Sequence, residues 1–213
     1  MFHKIPLFKI LKGKLLSIGE LQDLLLMELS KSFDFILHGG TAVWRVYGGK
    51  RFSYDIDVYH NNPEDLADYF YSTKIFKVLK SKITSSKVLY LKIGNNAIIE
   101  LEASPAPKDI ETIEANFWLV DGSSMVVVTL TPESLLKEKV KAFINRRSAK
   151  DLYDIFYLID LCDKNKVGED LDKLSPFLNS EPKDFPGLQD LILVGKPPSF
   201  ETIVRRIKKD AIS

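Results

Sequence analysis

At 213 residues, with 45% hydrophobic and 28% charged side chains, the chain has the balance of a folded globular protein with one core, or one core and a helical appendage. Its formal net charge of +1 excludes bulk electrostatic attraction to nucleic acid or membrane, so such a partner must be met by a local patch. The single cysteine, Cys162, excludes an internal disulfide framework, and Lys4, Lys9, Lys12 and Lys14 break any N-terminal apolar run; a mature cytoplasmic chain with no membrane partner is expected.

Apolar residues at Leu21, Leu24, Leu25 and Leu29 recur at helical spacing and predict an amphipathic helix over residues 18–32. A short apolar run at 33–37 stops at Gly39-Gly40, and residues 41–47 have helical character: strand, glycine turn, helix. Alternation predicts a strand over 54–59, and Pro63 starts a helix to residue 71. Further strands are expected at 75–79, 88–93, 97–103, 117–120 and 125–130. After Thr131-Pro132 the pattern is helical: 133–145, 149–163, 170–178, 185–193 and 200–210. The class is therefore α+β, a mixed sheet with flanking helices over residues 1–130 and a helical C-terminal part over 131–213.

Side chains alternate across a strand, so Ser53, Asp55 and Asp57 share one face. Neighbouring carboxylates repel unless a cation bridges them, and an all-oxygen set suits Mg²⁺ or Mn²⁺. Asp-x-Asp also marks the wet face of many edge strands. The upstream Gly39-Gly40-Thr41 turn adds backbone N–H groups and a hydroxyl suited to phosphate. A third acid is expected from a neighbouring strand, and Glu100 and Glu102 lie on the same face of that strand, so spacing does not choose between them.

Helical geometry after Pro132 puts Lys139 within the apolar arc of Leu135, Leu136, Val140, Phe143 and Ile144. A lysine there either reaches an anion such as a triphosphate or snorkels to solvent. On the next helix Asp151 falls on the apolar side, with Asp154 near its edge. The competing reading of Asp151 is a capping box begun by Ser148. Arg146, Arg147 and Lys150 crowd the turn between the helices, and Arg205, Arg206, Lys208 and Lys209 form a second basic stretch; each run could contact a nucleic-acid backbone or be solvated surface.

The segment HGGTAVWRVYGGKRFSYDID resembles the first signature of the AbiEii-like nucleotidyltransferases, the toxin family of abortive-infection systems, and EKVKAFINRRSAKDLYDIFYL resembles the second. The resemblance implies a polymerase-β-like nucleotidyltransferase fold with a helical C-terminal part. It implies that Gly39, Gly40 and Thr41 hold triphosphate, that Asp55 and Asp57 bind metal with Glu102 as third acid, and that Arg51 and Ser53 support the turn. Lys139 and Asp151 would be the family's lysine and aspartate, with Lys150 and Asp154 beside them. The expected activity is transfer of a nucleoside monophosphate from a triphosphate to an acceptor hydroxyl on RNA, tRNA first, or on protein, with an antitoxin as partner. The rival readings are a nucleotide-binding regulatory module without catalysis and a nucleic-acid-binding partner protein.

Overall fold

A computed structural model describes residues 5–211, so Lys4 of the N-terminal lysine run lies outside the described residues. The chain divides into two units, Met1–Gly48 with Ser53–Thr129, and Gly49–Phe52 with Leu130–Ser213.

In the first unit, helix α1 (Gly13–Ser32) starts earlier than the leucine spacing predicts, because Leu15 and Leu16 extend the half-buried stripe that Lys12 and Lys14 obscure. Strand β1 (Ile36–His38) runs directly into α2 (Gly39–Arg45), whose residues are all buried. Strand β2 (Ile56–Tyr59) is shorter than alternation suggests. Side chains take the carbonyls before it out of the ladder: Gln22 Nε2 donates to Ser53 O (2.9 Å) and Tyr54 O (3.1 Å), and Thr41 Oγ1 donates to Asp55 O (2.5 Å). Helix α3 (Pro63–Ser72) begins at its proline, with Glu64 and Asp65 in the first turn.

Strands β3 (Lys77–Ile83), β4 (Leu89–Gly94) and β5 (Ile98–Ser104) form an antiparallel meander, followed by β6 (Thr112–Trp118) and β7 (Ser124–Leu130). The sheet order is β3-β4-β5-β2-β1-β7-β6, with β2 parallel to β5, β1 parallel to β7 and β1 antiparallel to β2. The outermost strands, β3 and β6, are displaced from their expected positions. Both are largely exposed, and β3 is interrupted by a register shift between Val78 and Lys80, so neither carries the apolar alternation of a half-buried strand. Helix α1 packs on β5, and α3 on β3 and β4. The buried face holds Ile56, Val58, Leu91, Ile93, Ile99 and Leu101. Each such side chain contributes roughly 1.5–3 kcal/mol of transfer free energy.

In the second unit, α4 (Pro132–Arg146) is capped by Thr131, whose hydroxyl accepts from Ser134 N–H. Helix α5 (Ala149–Leu158) gives way to a 3₁₀ turn at Ile159–Leu161, earlier than the apolar pattern implies, because Asp163 caps the next helix, α6 (Lys164–Asp172). The segment Phe185–Leu191 is 3₁₀ rather than α, and α7 (Phe200–Ala211) closes the described chain. Residues 49–52 belong here: Phe52 N–H donates to Leu191 O at 2.8 Å, and Leu193 N–H to Lys50 O at 2.9 Å. Among the described residues, no helix is long and apolar enough to cross a membrane.

Candidate active site

The acids of the first unit are built around one glycine. Gly39 opens α2 at φ +70°, a conformation that costs L side chains energy. A Cβ added there would lie 1.9 Å from Asp57 Oδ2 and 2.7 Å from its Cγ, so the carboxylate of Asp57 rests on the bend itself. The register explains the approach: His38, the residue before Gly39, pairs with Asp57 across β1 and β2, and its ring stacks on Tyr59 at 3.9 Å. Gly40 is buried within α2 without positive φ.

Thr41 is fully buried, and its hydroxyl is committed to the carbonyl of Asp55. It fixes the residue that leads into β2. Ser53 is buried and is held through its carbonyl by Gln22, itself fully buried on α1. Asp55 is exposed in a bend one residue before the strand, and Asp57 is half-buried. Glu102 pairs in register with Asp57 across the parallel β2 and β5, so the two carboxylates stand on one face of adjacent strands. Glu100 is exposed and accepts a hydrogen bond from Lys92 Nζ at 2.8 Å, which sets it apart from the Asp57 row.

The donor set is carboxylate oxygen throughout and fits a hard divalent cation. Among the described residues, no three acidic, histidine or cysteine side chains converge as ligands.

Sequence reasoning missed the polar anchors of this unit. Asp23 Oδ2 accepts from Val120 N–H at 2.7 Å, and its other oxygen accepts from Arg45 Nη2. Arg45 also donates through Nε to Trp118 O (2.7 Å) and lies over the Phe117 ring. Burial raises the Asp23 carboxyl above its ordinary range despite Arg45, and burial lowers Arg45. The available signal was Gln22-Asp23 beside the leucine stripe of α1.

The second unit gathers the remaining candidates. Arg51 grips Asp154 bidentately, Nη2 to Oδ2 at 2.7 Å and Nε to Oδ1 at 2.9 Å. Lys139 Nζ lies 2.9 Å from Asp154 Oδ2 and 3.6 Å from Asp151 Oδ1. Asp151 accepts from Arg146 Nε (2.7 Å) and Nη2 (2.8 Å). Burial opposes ionisation of Asp154, yet Arg51 and then Lys139 outweigh it and hold the carboxyl below its ordinary range.

The capping box, the competing reading of Asp151, does not form, since Ser148 makes no side-chain cap hydrogen bond. Asp184 takes that duty, accepting from Ser148 Oγ and Ala149 N–H at 2.9 Å each. Lys150 is exposed on α5. Arg147 donates to the carbonyls of Phe177 and Ser180, and Arg206 is held by Asp160 and Asp210, so neither is a freely solvated cation. Burial, then Glu133, pushes the Cys162 thiol up to about 12, well above neutral pH.

The sequence matches the family model described as nucleotidyl transferase AbiEii toxin, Type IV TA system, over residues 23–175. The chain belongs to the AbiEii family. The match spans every candidate residue from Gly39 to Asp154. This AbiEii chain also resembles JHP933 from Helicobacter pylori, at 20% identity over 95% of this chain and 92% of that one, with a TM-score of 0.62. A candidate nucleotidyltransferase from H. pylori gives 18% identity, 95% coverage of each chain and a TM-score of 0.64. The antibiotic-resistance factor ANT(2'')-Ia gives 11% identity over 78% of this chain and 92% of that one, with a TM-score of 0.52. At these identities the likenesses establish the AbiEii chain's fold. No curated protein matches the sequence.

Proposed function

We propose that this AbiEii chain is a metal-dependent nucleotidyltransferase that moves a nucleoside monophosphate from a triphosphate to an acceptor hydroxyl, as the toxin of a cytoplasmic toxin–antitoxin pair. The observation that carries this reading is Asp57, seated on the Gly39 bend with Glu102 beside it in register.

Asp55, Asp57 and Glu102 would hold Mg²⁺ or Mn²⁺, which supplies charge neutralisation for the triphosphate and the transition state. In the reaction, the acceptor oxygen bonds to the α-phosphorus as the bond to pyrophosphate breaks, and the acceptor proton passes to a carboxylate; Glu102 is the proposed base. Gly39 and Gly40 leave backbone rather than side chain at the bend and suit close approach of phosphate. Thr41 and Ser53 position the acids through the main chain.

In the second unit, Arg51, Lys139 and Arg146 gather around Asp151 and Asp154, and we assign this cluster of cationic side chains to a phosphate group. Lys139 and Asp151 are its proposed functional pair. Arg51 and Asp154 would position them, and exposed Lys150 would be an accessory contact.

The reaction type is tested with nucleoside triphosphates labelled at the α or the γ position, incubated with the chain and total RNA. Label transferred from the α position alone, with release of pyrophosphate, is expected. Transfer of the γ label would reassign the chain to phosphoryl transfer, and tight triphosphate binding with no transfer would make it a regulatory module.

A further inference from the structure

One register line crosses the first unit's sheet. His38 pairs with Asp57, Asp57 with Glu102, Glu102 with Tyr90 on β4, and Tyr90 with Lys82 on β3. Paired residues share a face, so the row leads from the proposed acids to the sheet edge on one surface. The adjoining row carries Glu100, Lys92 and Lys80. The register shift after Val78 turns Lys77, opposite Gly94, to this same surface.

The surface is open. Tyr90 is 46% exposed, and Lys77, Lys80 and Lys82 are exposed, while α1 and α3 pack on the other face. Lys92 and Glu100 pair with each other, which leaves the β3 lysines as a positive margin around an exposed aromatic ring. Edge lysines also discourage strand pairing. That duty does not call for an exposed Tyr90 in register with Glu102.

We infer that this surface is the acceptor platform and that the acceptor is single-stranded RNA, an inference that rests on the nucleotidyl-transfer reading. Ammonium groups would meet backbone phosphates, and the Tyr90 ring would stack a base. From β3 to β2 is three strand intervals, about 14 Å, so RNA phosphates at Lys80 and Lys82 would leave a few nucleotides to carry a terminal hydroxyl to Asp57 and Glu102.

The test uses the whole chain with a fluorescein-labelled single-stranded oligoribonucleotide, read by anisotropy across salt concentrations and as acceptor in transfer. Lys80→Ala/Lys82→Ala should weaken binding roughly tenfold and lower the salt slope by about 1.4, at about 0.7 per lost phosphate contact. It should raise KM for the oligonucleotide while KM for the triphosphate stays unchanged. Tyr90→Ala should weaken binding about tenfold while Tyr90→Phe binds normally, because the ring face does the stacking. Restored binding in Lys80→Arg/Lys82→Arg would show that charge, not folding, is responsible.

Unchanged affinity and salt slope in the lysine and tyrosine variants would overturn the platform while leaving nucleotidyl transfer intact. So would label appearing on a protein acceptor with the lysine variants indifferent. A wild-type chain that binds the oligonucleotide through these residues but transfers no nucleotide would support the surface and sink the transfer reading.

Discussion

Asp57 lies so close over Gly39 that a single methyl group on the glycine would sit 1.9 Å from a carboxylate oxygen. The bend and the acid are one device, joined by the pairing of His38 with Asp57. Gly39→Ala therefore meets positive φ and a displaced carboxylate together. A stability loss of about 2–3 kcal/mol is expected, read by tryptophan fluorescence on denaturation, since Trp44 and Trp118 both lie in the first unit. Transfer should fall about 100-fold through misplacement of Asp57.

The two glutamates of β5 should separate cleanly. Glu100→Gln removes a surface pair with Lys92 and should leave transfer within about twofold of wild type, with a stability change of about 0–1 kcal/mol. Glu102→Gln, beside Asp57, should lower the rate about 10³-fold with folding unchanged. Comparable losses in both variants would remove the register argument.

Removing Arg51 leaves Asp154 buried with Lys139 as its remaining cation partner. Arg51→Met should destabilise the second unit by about 3–5 kcal/mol, seen as lost hydrogen-exchange protection along α5. Unchanged protection would show that the Arg51–Asp154 pair does not hold α5 in place.

Acid should affect the units with opposite sign. Asp154 has a lowered folded pKa, so its stabilisation is present above the ordinary value of 3.8 and is lost as pH falls through the folded one. Asp23 has a raised folded pKa, chiefly through burial, so its contribution is present below 3.8 and is lost as pH rises through the folded value. As pH falls below 3.8, α5 amides should lose protection before α1 amides. The reverse order would contradict the assigned directions.

Much of the candidate site was legible because it departs from pattern locally. Two glycines and a threonine closing a strand, alternating aspartates, and Lys139 and Asp151 on apolar arcs are visible at short range. What stayed hidden depends on distant partners. The strip 49–52 pairs with residues 191–193, Asp184 caps α5 from outside the motif, and Gln22 and Asp23 anchor loops far along the chain. Edge strands β3 and β6 were misplaced because most of their side chains are exposed, which removes the apolar period that locates a strand.

The most direct measurement is single-turnover transfer of α-labelled nucleotide by Asp57→Asn, with triphosphate binding measured in parallel. A rate lower by about 10³-fold in a folded chain is predicted, because the proposed mechanism places its charge stabilisation at this carboxylate. Transfer within about tenfold of wild type would contradict it.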